Sequence, residues 1–247
     1  MITKTQNYKE VKNLLSKGST NTKTAKNSLE TFILYLAPER QNSKRINLCP
    51  KASKGCAAAC LYTAGRGKFT NVKASRINKS EYYISDKKTF INQLSKEIVK
   101  IAAKSIKQNK KIAIRLNGTS DQDFISIIKK YNNLDLLNDK QFKNLVFYDY
   151  TAILGKIKKY INTSYYLTLS RKEDNENDIL QALKLGGNVA AVFRDELPTK
   201  YKGYEVVNGD TSDLEMIYNK NVILGLKAKG DAKKDKSGFV IDSYNLN

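Results

Sequence analysis

The 247-residue chain carries 44 Lys and Arg against 24 Asp and Glu, a formal charge of +20 at pH 7, and it contains no histidine. That length supports one sizeable core, and the missing histidine excludes Ser-His-Asp and Cys-His catalysis as well as His-dependent nucleases and nickases. No run approaches 18 consecutive apolar residues and the opening MITKTQNYKEVKN lacks the apolar centre of a secretory leader, so a cytoplasmic location and no membrane partner are expected.

Residues 1–28 read as a peripheral N-terminal extension, with a short helical pattern in YKEVKNLLSKG closed by Gly18 and a polar loop in STNTKTAKNS. TFILYLAP (31–38) is β-rich and stops at Pro38, as a buried first strand would. A cysteine-bearing loop-helix follows over 48–67. Next come ASRINKSEYYIS and DKKTFINQLSKEIVKIAAKSIKQN, helices in which Phe90, Leu94, Ile98, Ile101 and Ile106 approximate one apolar stripe and Asp86 can cap the start.

From residue 111 the pattern alternates. KIAIRLNG, NLVFYDYT, SYYLTLSR, NVAAVFRD, YEVVNG and NVILGLKAKG read as strands, separated by helical DFISIIKKY, AILGKIKKY, NDILQALKLGG and SDLEMIYNK. This alternation predicts a single α/β domain over 1–247, with parallel strands and helical crossovers forming a complete or open (partial) TIM-like barrel, or else a doubly wound sheet. Such folds place their chemistry at the carboxyl ends of the strands. Here those ends supply Asn117, Ser120 and Asp121, then Asp149, Tyr150 and Thr151, then Ser170 and Arg171, then Arg194, and finally Lys227 and Lys229. They are the candidate substrate-binding residues, although strand ends are polar wherever they meet water.

All three cysteines, Cys49, Cys56 and Cys60, fall in LCPKASKGCAAACLYTAGRG with the spacing C-x6-C-x3-C. SKGCAAACLYTAG reads as a helix from about Gly55 to Ala64, which would put Cys56 and Cys60 on one face with Cys49 folding back from the preceding loop. Three uses compete. Three thiolates can hold a 4Fe-4S cluster with one iron left open for a small-molecule ligand, and the ten cations between Arg40 and Lys79, with no Asp or Glu among them, favour thiolate and an anionic cluster. Zinc is the alternative metal, short of a fourth ligand because the nearest carboxylates, Glu39 and Glu81, lie outside the segment. Free cysteines packed in a core are the third use.

A three-cysteine loop directly after the first strand of a parallel barrel resembles the radical S-adenosylmethionine enzymes, a likeness that implies S-adenosylmethionine as a ligand of the open iron. Those enzymes use C-x3-C-x2-C, and RLNGTSDQD stands where their Gly-Gly-Glu type sequence holds the methionine amino group. LCPKASKGCAAACLYTAGRG, RLNGTSDQDF, FYDYT, LTLSR and GLKAKGDAKKDKSGFVID together resemble the bacteriophage gene-product-88-like family. That resemblance implies a phage origin, hence a host-cell cytoplasm, and a shared cysteine-bearing α/β fold.

The excess of cations points to nucleic acid or another polyanion as partner. Codon bias in a chain rich in Lys, Asn, Ile and Tyr explains the Lys count but not the shortage of Asp and Glu. KAKGDAKKDKSG (227–238) could be a lid whose lysines meet phosphate or a solvated turn, GRGK (65–68) lacks the P-loop pattern, and Tyr62, Tyr148 and Tyr150 are candidate base-stacking surfaces. The sequence thus supports an iron-sulfur protein, radical-enzyme-like, acting on an anionic or nucleic-acid-related substrate. The alternative is a non-catalytic nucleic-acid-binding protein with structural zinc or a metal-free cysteine segment.

Overall fold

A computed structural model of the chain describes residues 7–20, 25, 27–60, 62 and 65–243. In chain order its elements are β1 (Leu15–Lys17), β2 (Glu30–Leu34), α1 (Lys54–Ala58), α2 (Thr70–Ser85), α3 (Lys87–Gln108), β3 (Ile112–Arg115), α4 (Phe124–Asn132), β4 (Leu145–Thr151), α5 (Leu154–Tyr160), β5 (Tyr165–Ser170), α6 (Glu176–Lys184), β6 (Asn188–Phe193), β7 (Lys200–Tyr201), β8 (Tyr204–Asn208), α7 (Glu215–Tyr218), β9 (Ile223–Lys227) and β10 (Val240–Ile241). One mostly parallel sheet runs β1-β2-β3-β4-β5-β6-β9-β8-β7, and among the described residues its antiparallel pairs stand at its two ends.

Each crossover from β2 to β6 adds the next strand on the same side, so right-handed connections send their helices to one face. The packing agrees. Phe90, Leu94 and Ile98 of α3 meet Ile112, Ile114 and Phe147, while Ile157, Ile179 and Leu183 of α5 and α6 meet Leu169, Val189 and Phe193. Alternate strand residues, Ala113, Tyr148, Ala190 and Leu224, face the other way and are covered by Leu214 and Met216 around α7. The sheet is therefore open and not doubly wound; among the described residues β1 and β7 do not pair to close a barrel.

Two local expectations change. Residues 8–14 form no helix, and β1 instead extends the sheet edge, because Glu97 of α3 accepts the backbone N–H groups of Leu14 (2.8 Å) and Leu15 (2.9 Å) while both leucines enter the core. This segment is thus part of the sheet and not merely peripheral. Ile106, placed on the apolar stripe of α3, is 46% exposed near the helix end, where the stripe outruns the sheet it covers.

The carboxyl ends of β5 and β6 separate. The two strands pair over Thr168–Ser170 and Asn188–Ala190, after which β10 takes over the edge of β6 at Val192 and Phe193. That insertion carries the chain from 235 to 239 up against the cysteine loop.

Candidate functional site

The cysteine loop leaves β2, and its helix α1 is built from outside itself. Ser53 caps the N-terminus, accepting from the Cys56 N–H (3.2 Å) and donating to Glu173 Oε2 (2.7 Å). The other Glu173 oxygen accepts from the Gly55 N–H at 2.8 Å. α1 has no acidic residue in its first turn, so the carboxylate that suits the positive end of the helix comes from the β5–α6 connection. A Cβ at Gly55 would stand 2.2 Å from Ser237 Oγ and 2.8 Å from Phe239 Cβ, so only glycine lets the segment before β10 lie this close. Glu173→Ala should cost about 1–3 kcal/mol in urea unfolding, the penalty of a buried N–H left unpaired; an unchanged midpoint would show that α1 does not depend on this contact.

α1 ends at Ala58, short of the expected Ala64, because the chain turns with Cys60 N–H bonded to the Ala57 carbonyl at 3.4 Å. Residues 61, 63 and 64 lie outside the described residues. Cys56 is thus helical and Cys60 follows the helix, and the two do not share one helical face.

The RLNGTSDQD stretch cradles the start of the loop. Gly118 N–H donates to the Leu34 carbonyl (2.9 Å), and a Cβ there would overlap the Tyr35 ring at 2.5 Å. Thr119 Oγ1 donates to the Leu36 carbonyl, while the Asp121 N–H (2.9 Å) and Gln122 Nε2 (3.0 Å) both donate to the Leu48 carbonyl. Cys49 Sγ in turn donates to the Thr119 carbonyl at 3.8 Å. Asn117 knots the turn from within. Its Oδ1 accepts from Ser120 Oγ (3.0 Å) and Gln122 N–H (2.7 Å), and its Nδ2 donates to the Gln122 carbonyl (3.0 Å) and Asp149 (3.1 Å).

The three thiols are neighbours, each within electrostatic reach of another, with Cys49 and Cys56 both feeling Cys60. Burial pushes Cys49 and Cys56 up to about 12 and raises Cys60 as well. This reverses the expected lowering by the basic loop. Arg40, Lys44, Arg45, Lys51 and Lys54 are exposed, so solvent screens them; backbone hydrogen bonds from Glu39 to Cys49 and from Tyr62 to Cys60, with Lys172 near Cys56 and Arg76 near Cys60, pull the other way and are outweighed by burial. Among the described residues no three Cys, Asp or Glu side chains stand in an arrangement that holds a metal ion.

Arg76 of α2 lies beside this cluster, 9% exposed, with its guanidinium 4.6 Å from the Tyr35 ring centroid and 5.5 Å from that of Tyr62. Its Nε and Nη1 are buried without a hydrogen-bond partner. Three thiols beside a buried guanidinium with unpartnered N–H groups are a donor set and a local charge that suit an anionic metal–thiolate group.

The remaining candidates divide into three sets. Asp121, Asp149, Thr151 and Asn117 are buried and satisfied within the fold: Asp121 accepts from Thr151 Oγ1, the Ala152 N–H and Lys156 Nζ, and Asp149 from Tyr165 Oη, Asn117 and the Leu116 N–H. Ser170 and Arg171 hold the loops beside α1, through Asn175 Nδ2 to the Ser170 carbonyl and Arg171 to the Gly238 and Phe239 carbonyls. Arg194 binds Asp242 and the Lys233 and Asp235 carbonyls, while the Lys227 N–H and Lys229 Nζ bond Asp210; none of these leads to the thiols. KAKGDAKKDKSG is accordingly a folded segment with Ala232 buried.

Tyr148 is fully buried on the inner face and offers no stacking surface, whereas half-buried Tyr150 lies under Arg115 at 4.9 Å. Sequence reasoning missed Glu173, Arg115 and the singular place of Arg76 among ten cations. Nothing local marks them, since their partners are 98 or more residues away or on other elements.

No described helix is long and apolar enough to cross a membrane. Comparison with curated proteins and with solved structures finds no match, and the likeness to radical S-adenosylmethionine enzymes gains no support there. A family model described as gene product 88 matches residues 5–243, spanning every element of the sheet and the whole cysteine loop. By that match, over nearly its full length, the chain belongs to the gene product 88 family.

Proposed function

We propose that this protein binds a 4Fe-4S cluster through Cys49, Cys56 and Cys60 and uses the remaining iron position for an anionic ligand. The observation that carries this reading is the gathering of all three thiols at the carboxyl end of β2, cradled by the β3–α4 turn, by Glu173 and by Arg76. When bound, such a cluster supplies one-electron chemistry or a Lewis-acidic iron. The chain's own residues would do the rest: Ser53 and Glu173 fix the Cys56 end, Leu48 and Thr119 fix the Cys49 end, and Arg76 balances charge. The Asn117 knot, placed where a radical S-adenosylmethionine enzyme would grip its ligand, spends its hydrogen bonds on the loop, so S-adenosylmethionine is a secondary candidate to be tried after the cluster is established.

Anaerobic purification with iron, sulfide, zinc and visible-spectrum analysis tests it. About four irons per chain and a brown band that bleaches on reduction are expected, with both lost in C49A/C56A/C60A. Wild-type protein with zinc or no metal, or a triple variant that keeps its iron, would sink the reading.

A second reading rests on the loop surface. Arg40, Lys44, Arg45, Lys51, Arg66 and Lys68 are exposed around the cysteines with no carboxylate in the same stretch, a surface suited to nucleic acid. Binding to duplex DNA should then weaken with salt by a log–log slope of roughly 0.9 per phosphate contacted. Affinity that stays weak at low salt and flat as salt rises would rule this out.

A further inference from the structure

Arg76 is an anomaly that the fold does not explain. A guanidinium that is nine-tenths buried normally finds a carboxylate or a set of carbonyl oxygens, because desolvated donors left unmade are costly. Arg76 has no ion pair among the described residues, and its Nε and Nη1 are unpartnered. The faces of Tyr35 and Tyr62 flank it, which orients a planar cation but leaves its edge N–H groups free to point in the plane. Beyond the two tyrosines, Cys60 is the titratable neighbour that favours its charge once ionised, and Arg76 in turn bears on Lys79, another cation. Among the described residues the two ring faces favour its positive charge, but no carboxylate or carbonyl oxygen takes its Nε or Nη1.

We propose that Arg76 is the charge partner of the metal-loaded thiolates, donating its two unmade N–H bonds to the anionic sulfur at the Cys60 side of the site. This inference rests on the metal-binding reading above. Hydrogen bonds to sulfur stabilise the more negative, reduced state of a cluster and orient its ligands. Arg76 is thus a positioning residue: it raises the reduction potential and slows metal loss, and in the metal-free chain its Nε and Nη1 stay unpaired.

The test compares wild type, R76M and R76K, each loaded with iron anaerobically and each also prepared metal-free. Methionine keeps the volume and removes the charge; lysine keeps the charge and removes the planar fork. R76M should show a more negative midpoint potential by spectroelectrochemistry and lose iron to a chelator about tenfold faster or more, with R76K between the two. Metal-free R76M should melt at or above the wild-type temperature, since it no longer buries an unpaired charge. An unchanged potential and an unchanged rate of iron loss overturn the proposal, and a metal-free R76M that melts lower alongside them assigns Arg76 to packing between the tyrosines. Wild-type chain that takes up no metal instead overturns the reading beneath it, so the two failures are separable.

Discussion

Replacing Asp121 by Asn should destabilise the protein by about 3–5 kcal/mol, the range for removing one partner of a buried ion pair. Asp121 accepts from Lys156 Nζ at 2.6 Å, and the two side chains are only 8% and 9% exposed. The same carboxylate takes Thr151 Oγ1 (2.9 Å) and the Ala152 N–H (2.8 Å), while the Asp121 backbone donates to Leu48 beside the first cysteine. One residue therefore joins the β3–α4 turn, the end of β4, α5 and the cysteine loop. An amide of the same shape cannot neutralise Lys156, which would be left charged and enclosed. Combining D121N with Lys156→Met should recover much of the loss, since the double variant buries no lone charge. Denaturant unfolding of both single variants and the double variant decides the matter. A D121N chain within about 1 kcal/mol of wild type would show that water already reaches Lys156.

Stability should also fall as pH rises from 4 to 6, through Asp149. Its carboxyl is fully enclosed where β3 and β4 meet, and burial pushes it up to about 6 against the pull of Arg115, Tyr165 and Asn117. The ordinary value is 3.8, so between the two the folded chain holds a proton that the unfolded chain has released. Folding then gains from protonation fully below about 4 and loses that gain as pH passes 6, by about 3 kcal/mol at 1.36 kcal/mol per unit. Asp149→Asn cannot titrate and should remove this slope, while costing stability at every pH because its amide nitrogen faces the N–H donors that the second oxygen accepted. Wild type and D149N with parallel stability profiles across pH 4–6 would contradict the assignment.

Arg115 shows why such a group was invisible in the sequence. It reads as one more strand residue in KIAIRLNG, yet it bonds Asp213 at 3.2 Å, lies 3.7 Å from Asp149 and covers the Tyr150 ring. Its partners come from β4 and from the chain ahead of α7. Asp121 and Asp149, by contrast, were legible as polar strand ends, but not as internal ties: polarity at a strand end is the same letter whether the side chain faces a substrate or a lysine three elements away. The cysteine stretch was legible as a cluster of thiols, while its helix was overextended because alanine favours helix and the sequence cannot weigh that against the turn at Cys60.

The sequence by itself determined the alternation of strands and helices, the parallel sheet they build and the concentration of thiols in one loop, because periodicity, β-branched runs and residue spacing are local quantities. Only the tertiary structure decided that the sheet stays open, that residues near 15 become its edge strand, that Glu173 caps α1 and that Arg76 is enclosed beside Cys60. Each of those depends on which desolvated groups meet across distant parts of the chain, and burial, which raises the thiols and strands the arginine, is a property of the assembled fold.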